Sequence, residues 1–250
     1  MQIENQSKLH HLFVLKGHMK VAIMQPYFFP YIGYFQLIAA VDKFIVYDNI
    51  KYTKKGWINR NRMLLNGSDA MFSLPLKRDS DHLYVAQREL SDDFDSNKLL
   101  NQLKGAYFSA PYFDQTYSLM EGVIRCRERN LFKYIYNAIV RTCDYLGIQT
   151  EIIISSNIAI NHELKSQDKV ISLCKAAKAD TYINTIGGKE LYLKEDFKRS
   201  GIELQFIKSN PFIYPQFKAE FVPWLSIVDV MMFNSLDEIK VKIASGYEVF

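Results

Sequence analysis

Apolar residues recur along this chain with two different periods. Short unbroken runs occur at Val21-Ala22-Ile23-Met24, within Lys43–Tyr47, at Ile152-Ile153-Ile154, around Tyr182 and over Glu203–Ile207. Runs of this length without alternation suit strands buried on both faces. Between them the spacing turns helical. Tyr34 to Val41 follows the first run, and Leu99, Leu100, Leu103 and Tyr107 recur at helix spacing. Tyr117 to Ile124, Leu131 to Leu146 and Ser166 to Ala177 continue the pattern, the last with Val170, Leu173, Cys174 and Ala177 facing inward. Gly147 fits a helix C-cap. Met63–Leu65 and Ala70–Leu76 read as a hairpin around the Asn66-Gly67 turn, and Tyr84 to Leu90 as a further strand. Helical character resumes over Phe221–Phe233, with Leu225, Val228 and Met232 on one face. Strands alternating with helices in both halves predict an α/β fold. Its form is a Rossmann-like, mainly parallel sheet with a β-hairpin excursion and a helical block inserted at about 95–146.

Residues 1–18 lie outside this pattern. Leu12-Phe13-Val14-Leu15 is too short for a signal-peptide core, and Met19 directly precedes the first strand. The expectation is a loose leader or upstream-start artefact, followed by a single domain over 19–250. The leader holds His10, His11 and His18 of five histidines, leaving His82 and His162 for the body. That scarcity makes a histidine-based zinc site or a Ser-His-Asp triad unattractive, and no metal site is expected. Cys126, Cys143 and Cys174 are three in number and widely spaced, so they form no metal or redox motif and read as buried free thiols. A net charge of +4 is too mild to argue for nucleic acid, and no apolar run reaches the roughly 20 residues of a membrane span. The chain reads as cytoplasmic. Aromatics make up 14% of it, which suits stacking on sugars or bases as well as a tyrosine-rich core.

Polar residues gather just past the strand ends, where open α/β sheets bind ligands. Gln25-Pro26 ends the first strand, and Asp48 follows the second. Lys51, Lys54, Lys55, Arg60 and Arg62 then surround Trp57, as an anion site with an aromatic wall would require, or as a solvated basic edge. Ser155 and Ser156 close another strand, where hydroxyls hold a substrate oxygen or terminate the strand. Gly187-Gly188, with Lys189 and Tyr192 close behind, permits positive φ and close approach of backbone N–H groups to an anion, yet matches no phosphate-loop spacing. Ser226 and Asp229 lie three apart on one helical face, Ser226 as a cap and Asp229 as an amine-orienting group or base.

The run Gln25-Pro26-Tyr27-Phe28-Phe29-Pro30-Tyr31-Ile32-Gly33-Tyr34-Phe35, with Asp48, Tyr52 and Trp57-Ile58-Asn59-Arg60-Asn61-Arg62, resembles the opening signature of the WbqC-like family. The resemblance continues through Ser155-Ser156, Tyr182 to Tyr192, Tyr214-Pro215-Gln216 and Leu225 to Asp229, and so covers nearly everything from Met19 onward. It implies a role in bacterial O-antigen and surface-polysaccharide assembly, with glycine transfer as one suggested reaction. A more distant resemblance is to the nucleotidyltransferases whose HxGH tetrapeptide opens the first helix. Tyr31-Ile32-Gly33-Tyr34 is similar in placement, with tyrosines where the histidines would stand. A phenol can hydrogen-bond a phosphate but carries no positive charge.

These observations point to a transferase that moves an acyl or aminoacyl group from an activated donor to a nucleotide-linked or lipid-linked amino sugar. Asp48 or Asp229 would accept the amine proton. Trp57 and Tyr34 would stack on sugar or base, and Lys54, Arg60 and the Gly187-Gly188 turn would hold phosphate. Gln25, Tyr31, Gly33, Asn59, Ser155, Ser156, Tyr192 and Gln216 complete the expected binding set. No cofactor is identified by the sequence. A divergent nucleotidyltransferase and a non-catalytic binding protein remain the other readings.

Overall fold

The computed structural model describes residues 18–217 and 220–250, so the expectations for the leader lie outside the described residues apart from His18. Strand β1 (Lys20–Met24), helix α1 (Ile32–Ala39) and strand β2 (Lys43–Val46) form the opening unit. A hairpin of β3 (Arg60–Leu65) and β4 (Ser68–Ser73) follows. Helices α2 (Ser96–Tyr107), α3 (Phe113–Ile124) and α4 (Leu131–Leu146) make the inserted block. The second half runs β5 (Glu151–Ile154), α5 (Ser166–Ala176), β6 (Thr181–Thr185), α6 (Lys194–Arg199) and β7 (Glu203–Ser209). It closes with α7 (Ile227–Phe233), α8 (Leu236–Ser245) and β8 (Tyr247–Val249).

Six strands form one sheet in the order β5-β2-β1-β6-β7-β8, parallel throughout except for β8, which runs antiparallel to β7. The unbroken apolar runs are explained by burial on both faces. Ala22, Phe44 and Val46 join the larger core under α1 and the helical block, whereas Val21, Ile23 and Ile45 join a smaller core beneath α5 and α6. Period-two alternation thus sorts neighbouring apolar residues into two hydrophobic layers.

Local signals set several boundaries. Asn66 and Gly67 both have positive φ (52° and 77°), as a two-residue type I′ hairpin turn requires. The Asp95 carboxylate caps α2 by accepting from Asn97 N and Lys98 N, and Asn130 caps α4 through Lys133 N. Gly147 ends α4 at φ 74°. Thr142 is wholly buried on α4 and satisfies its hydroxyl by donating to Ala138 O at 2.7 Å. Cys143 and Cys174 are buried free thiols, with burial pushing both pKa values up to about 12, while Cys126 is half-buried.

Three expectations are corrected. Tyr84 to Leu90 is not a strand but a single 3-10 turn at Val85–Gln87, flanked by isolated bridges. Val85 N and Ala86 N donate to Ile50 O and Asp48 O, Gln87 N and Arg88 N turn back on Tyr84 O and Val85 O, and Leu90 N goes to Arg129 O, so no continuous ladder forms. Helix α7 occupies only the end of the Phe221–Phe233 segment, because Pro223 and the left-handed Trp224 (φ 61°) keep the chain irregular up to the Ser226 cap. The Gly187-Gly188 pair forms part of a 3-10 segment, Ile186–Leu191, and neither glycine has positive φ. Helix α8 and strand β8 carry too weak a pattern to be foreseen; α8 starts from a Ser235–Glu238 capping box.

Candidate functional site

The chain leaves β1 toward β2 on one side, while β6 lies on the other. Their carboxyl ends therefore diverge at a topological switch point. A crevice of about 390 Å³ opens there. Its floor is Met24 at the end of β1 and Thr185, Ile186 and Gly187 at the end of β6. Tyr27, Tyr31 and Tyr34 come from the turn and helix after β1, Trp57 from the loop before the hairpin, Asn61 and Arg62 from β3, and Trp224 from the segment before α7.

The turn after β1 is rigidly held. Tyr34 is buried and donates its hydroxyl to Gln25 O at 2.9 Å; burial keeps this phenol protonated by raising its pKa well above the usual value. The Tyr27 hydroxyl lies 3.4 Å from Gln25 Oε1. Phe29 O accepts from Asn61 Nδ2 at 2.9 Å and from Ser226 Oγ at 2.7 Å, which fixes Phe29 at a positive φ of 42°. Phe28 N donates to Ile58 O, and Ile227 N to Pro30 O. Gly33 is required sterically: an added Cβ would sit 2.2 Å from the Tyr31 hydroxyl and 2.5 Å from Ser209 Oγ.

Arg62 is the cation of the crevice wall. Its guanidinium donates to Asp69 Oδ2 at 3.2 Å and to Trp224 O at 3.1 Å, and stands 5.8 Å from the Trp57 ring. Trp57 and Trp224 remain 43% and 60% exposed, with the Arg60 guanidinium also 6.0 Å from the Trp57 ring. Arg60, by contrast, spends its guanidinium on Gly56 O (2.9 Å) and Lys55 O, holding the loop that carries Trp57. Lys54 is exposed and paired with Asp81 at 2.7 Å. Asn59 accepts from the Tyr52 hydroxyl and donates to Leu74 O, a structural bracket. Gly187 lines the crevice, whereas Gly188 is buried, and a Cβ there would meet Asn184 Nδ2 at 2.3 Å.

Other expected residues fall into two separate polar knots. At the ends of β2 and β5, Asp48 Oδ1 accepts from the Ser155 hydroxyl at 2.7 Å and from Ser156 N at 3.0 Å. Lys169 donates to Asn49 Oδ1 at 3.1 Å and Asn49 O at 3.3 Å, and burial lowers its pKa against the opposing pull of Asp48 and Glu163. Asn49 Nδ2 lies 2.9 Å from His162 Nδ1, whose Nε2 is 2.9 Å from Ile158 O. Asn49, His162 and Lys169 carried no local signal: each is an isolated polar residue, and only the fold joins them.

The second knot centres on Asp229, which has no exposed surface. Its Oδ1 accepts from Tyr107 at 2.9 Å, and its Oδ2 from Tyr214 at 2.7 Å and Gln216 Nε2 at 2.6 Å. Tyr107 accepts from Leu64 N, which leaves its proton for Asp229. Burial raises the Asp229 pKa despite these three donors. Gln216 also spans Val222 with both ends of its amide. Asp48, Asp229, Ser155, Ser156 and Gln216 are therefore absent from the crevice wall. Tyr192 packs edge-on against Tyr182 and Phe197 in the smaller core.

Among the described residues no cluster of metal-ligating side chains occurs, and no helix is long and apolar enough to cross a membrane. A sequence model of the WbqC-like protein family matches residues 25–241, from the turn after β1 into α8. The chain belongs to the WbqC-like family. It is also similar to the uncharacterized protein Rv1507c of Mycobacterium tuberculosis (strain ATCC 25618 / H37Rv), with 29% identity over 223 residues. That alignment covers 86% of this chain and 93% of the relative.

Proposed function

We propose that this WbqC-like protein is a cytoplasmic transferase of surface-polysaccharide assembly, and that its crevice holds the phosphate-bearing amino sugar. The observation that carries this reading is the pairing of two exposed indoles with the Arg62 guanidinium at the switch point of the sheet. Indole faces stack on the apolar face of a sugar or on a nucleobase. A guanidinium fork matches phosphate geometry, and its bond to exposed Asp69 is weak enough to exchange.

The reaction we propose is acylation of the amino sugar. The amino-sugar nitrogen would attack the carbonyl of an activated donor, forming a C–N bond as the donor's C–S or C–O bond breaks. The amine proton would leave with the departing group or with solvent. Neither Asp48 nor Asp229 reaches the lining, so rate acceleration would rest on positioning and on Arg62 rather than on a carboxylate base.

Thermal unfolding with uridine diphosphate glucosamine, which carries the free amine, tests the reading. At about 100 times its dissociation constant a ligand adds roughly 2.7 kcal/mol of stability. The expected result is stabilisation that Arg62→Ala abolishes. Stabilisation only by nucleoside triphosphate with Mg²⁺ would replace this reading with nucleotidyl transfer.

A further inference from the structure

A second cavity, of about 210 Å³, adjoins the crevice across a partition made by Tyr31 and Trp224, which line both. Its wall is apolar: Phe212, Ile213, Tyr214, Phe221, Leu225 and Val230. The Tyr214 hydroxyl is directed to Asp229 at 2.7 Å, leaving its ring for the cavity. Polar side chains come from Ser209 and Asn210 at the end of β7. Ser209 Oγ lies 3.5 Å from the Tyr31 hydroxyl, so Ser209 stands on the side of the partition. The partition is a built feature. Trp224 is held at a φ of 61°, a strained conformation for a bulky residue, while Arg62 fixes its carbonyl and Tyr31 meets its ring edge-on at 5.9 Å. Ile213 is 72% exposed, so the chain leaves an aliphatic side chain in water at this cavity.

We infer that this cavity receives an apolar chain attached to a phosphate-bearing carrier whose anionic part lies in the crevice. The inference rests on the crevice reading above, that a phosphate-bearing substrate lies against Arg62 and the indoles, and adds an apolar chain to that substrate. A dry apolar cavity of about 150 Å³ holds a benzene ring, so about 210 Å³ accommodates roughly six to eight carbons. Two sources share this chemistry: the acyl group of an acyl-coenzyme A donor, and the first isoprene units of a prenyl phosphate.

The chain holds two tryptophans, Trp57 and Trp224, and both line the crevice, so intrinsic emission reports its occupancy. Titrations of wild type and Ile213→Asp with coenzyme A, butanoyl- and octanoyl-coenzyme A, geranyl phosphate and uridine diphosphate glucosamine decide the matter. Affinity should rise about fourfold per methylene until the cavity is full. Ile213→Asp, at an exposed position, should weaken the chain-bearing probe at least tenfold and leave the chainless nucleotide sugar within twofold. Chain-dependent binding in the acyl series or with geranyl phosphate identifies the source. If chain-bearing probes bind no better than chainless ones while the nucleotide sugar still binds, the apolar-chain proposal falls and the crevice reading stands. If Ile213→Asp is indifferent to chain length, or weakens the nucleotide sugar equally, the chain is not in this cavity. Failure of every probe to bind would overturn both readings.

Discussion

The crevice and the Asp229 knot hold similar side chains in opposite circumstances. Each combines aromatic rings, hydrogen-bonding groups and one charged residue. In the knot the carboxylate has no exposed surface and both oxygens already accept from Tyr107, Tyr214 and Gln216. In the crevice two indoles face solvent, and Arg62 is held by an exchangeable surface carboxylate. A saturated buried charge organises structure, since exposing it to substrate would mean breaking bonds that offset its desolvation. Groups with free valences and an open wall are the ones available to a ligand. Asp229 accordingly ties helix α2 and the segment around Tyr214 to α7, while Arg62 and the tryptophans stand at the open wall.

The contrast can be broken most forcefully at Asp229. Replacement by alanine strands three buried donors, and a loss of about 3–5 kcal/mol in urea unfolding is expected. A loss below 1 kcal/mol would mean that the knot contributes little. Arg62→Ala should do the reverse: nucleotide-sugar affinity falling roughly tenfold to a hundredfold, with stability changed by less than about 1 kcal/mol. Isothermal titration beside a melt separates the two effects. The glycines give a paired test. Gly188→Ala should destabilise by about 1–3 kcal/mol because its Cβ meets Asn184, whereas Gly187→Ala, with open space around it, should be close to neutral. Equal effects would contradict the packing described. Gly33→Ala belongs with Gly188 in size, and should also shift tryptophan emission as Tyr31 is displaced against Trp224.

The smallest effect is on pH dependence. Asp229 has a folded pKa raised above the ordinary 3.8 by burial. Its contribution to stability is therefore fully present below 3.8 and is lost as pH rises through the folded value. Comparing wild type with Asp229→Asn across that window should show the extra slope in wild type alone. Identical slopes would show that its proton affinity is the same folded and unfolded.

Much of the fold was legible in order along the chain. The short apolar runs, the Asn66-Gly67 turn, the helix over Leu131–Leu146 and its Gly147 cap rest on neighbours within a few residues. The apparent strand at Tyr84–Leu90 failed because its amides divide among the 48–50 segment, its own turn and Arg129 instead of one partner strand. Trp57 and Gly187 were recognisable as candidates from the aromatic–basic cluster and the glycine pair. Arg60 was the residue expected to hold phosphate, whereas Arg62, two residues on along the same strand with the same chemistry, is the one that lines the crevice. Trp224, lying in a segment that read as plain helix, gave no sign of its place between two cavities.

Local spacing, turn chemistry and capping determined the secondary structure and the α/β class, because those interactions act over one turn of helix or one strand. Which polar residues are free was decided only by the tertiary structure. Whether Asp48 and Asp229 face substrate or vanish into a knot depends on Ser155 and Tyr107, both more than one hundred residues away along the chain. Hydrogen-bond saturation and burial are properties of those long-range neighbours, and no local pattern encodes them.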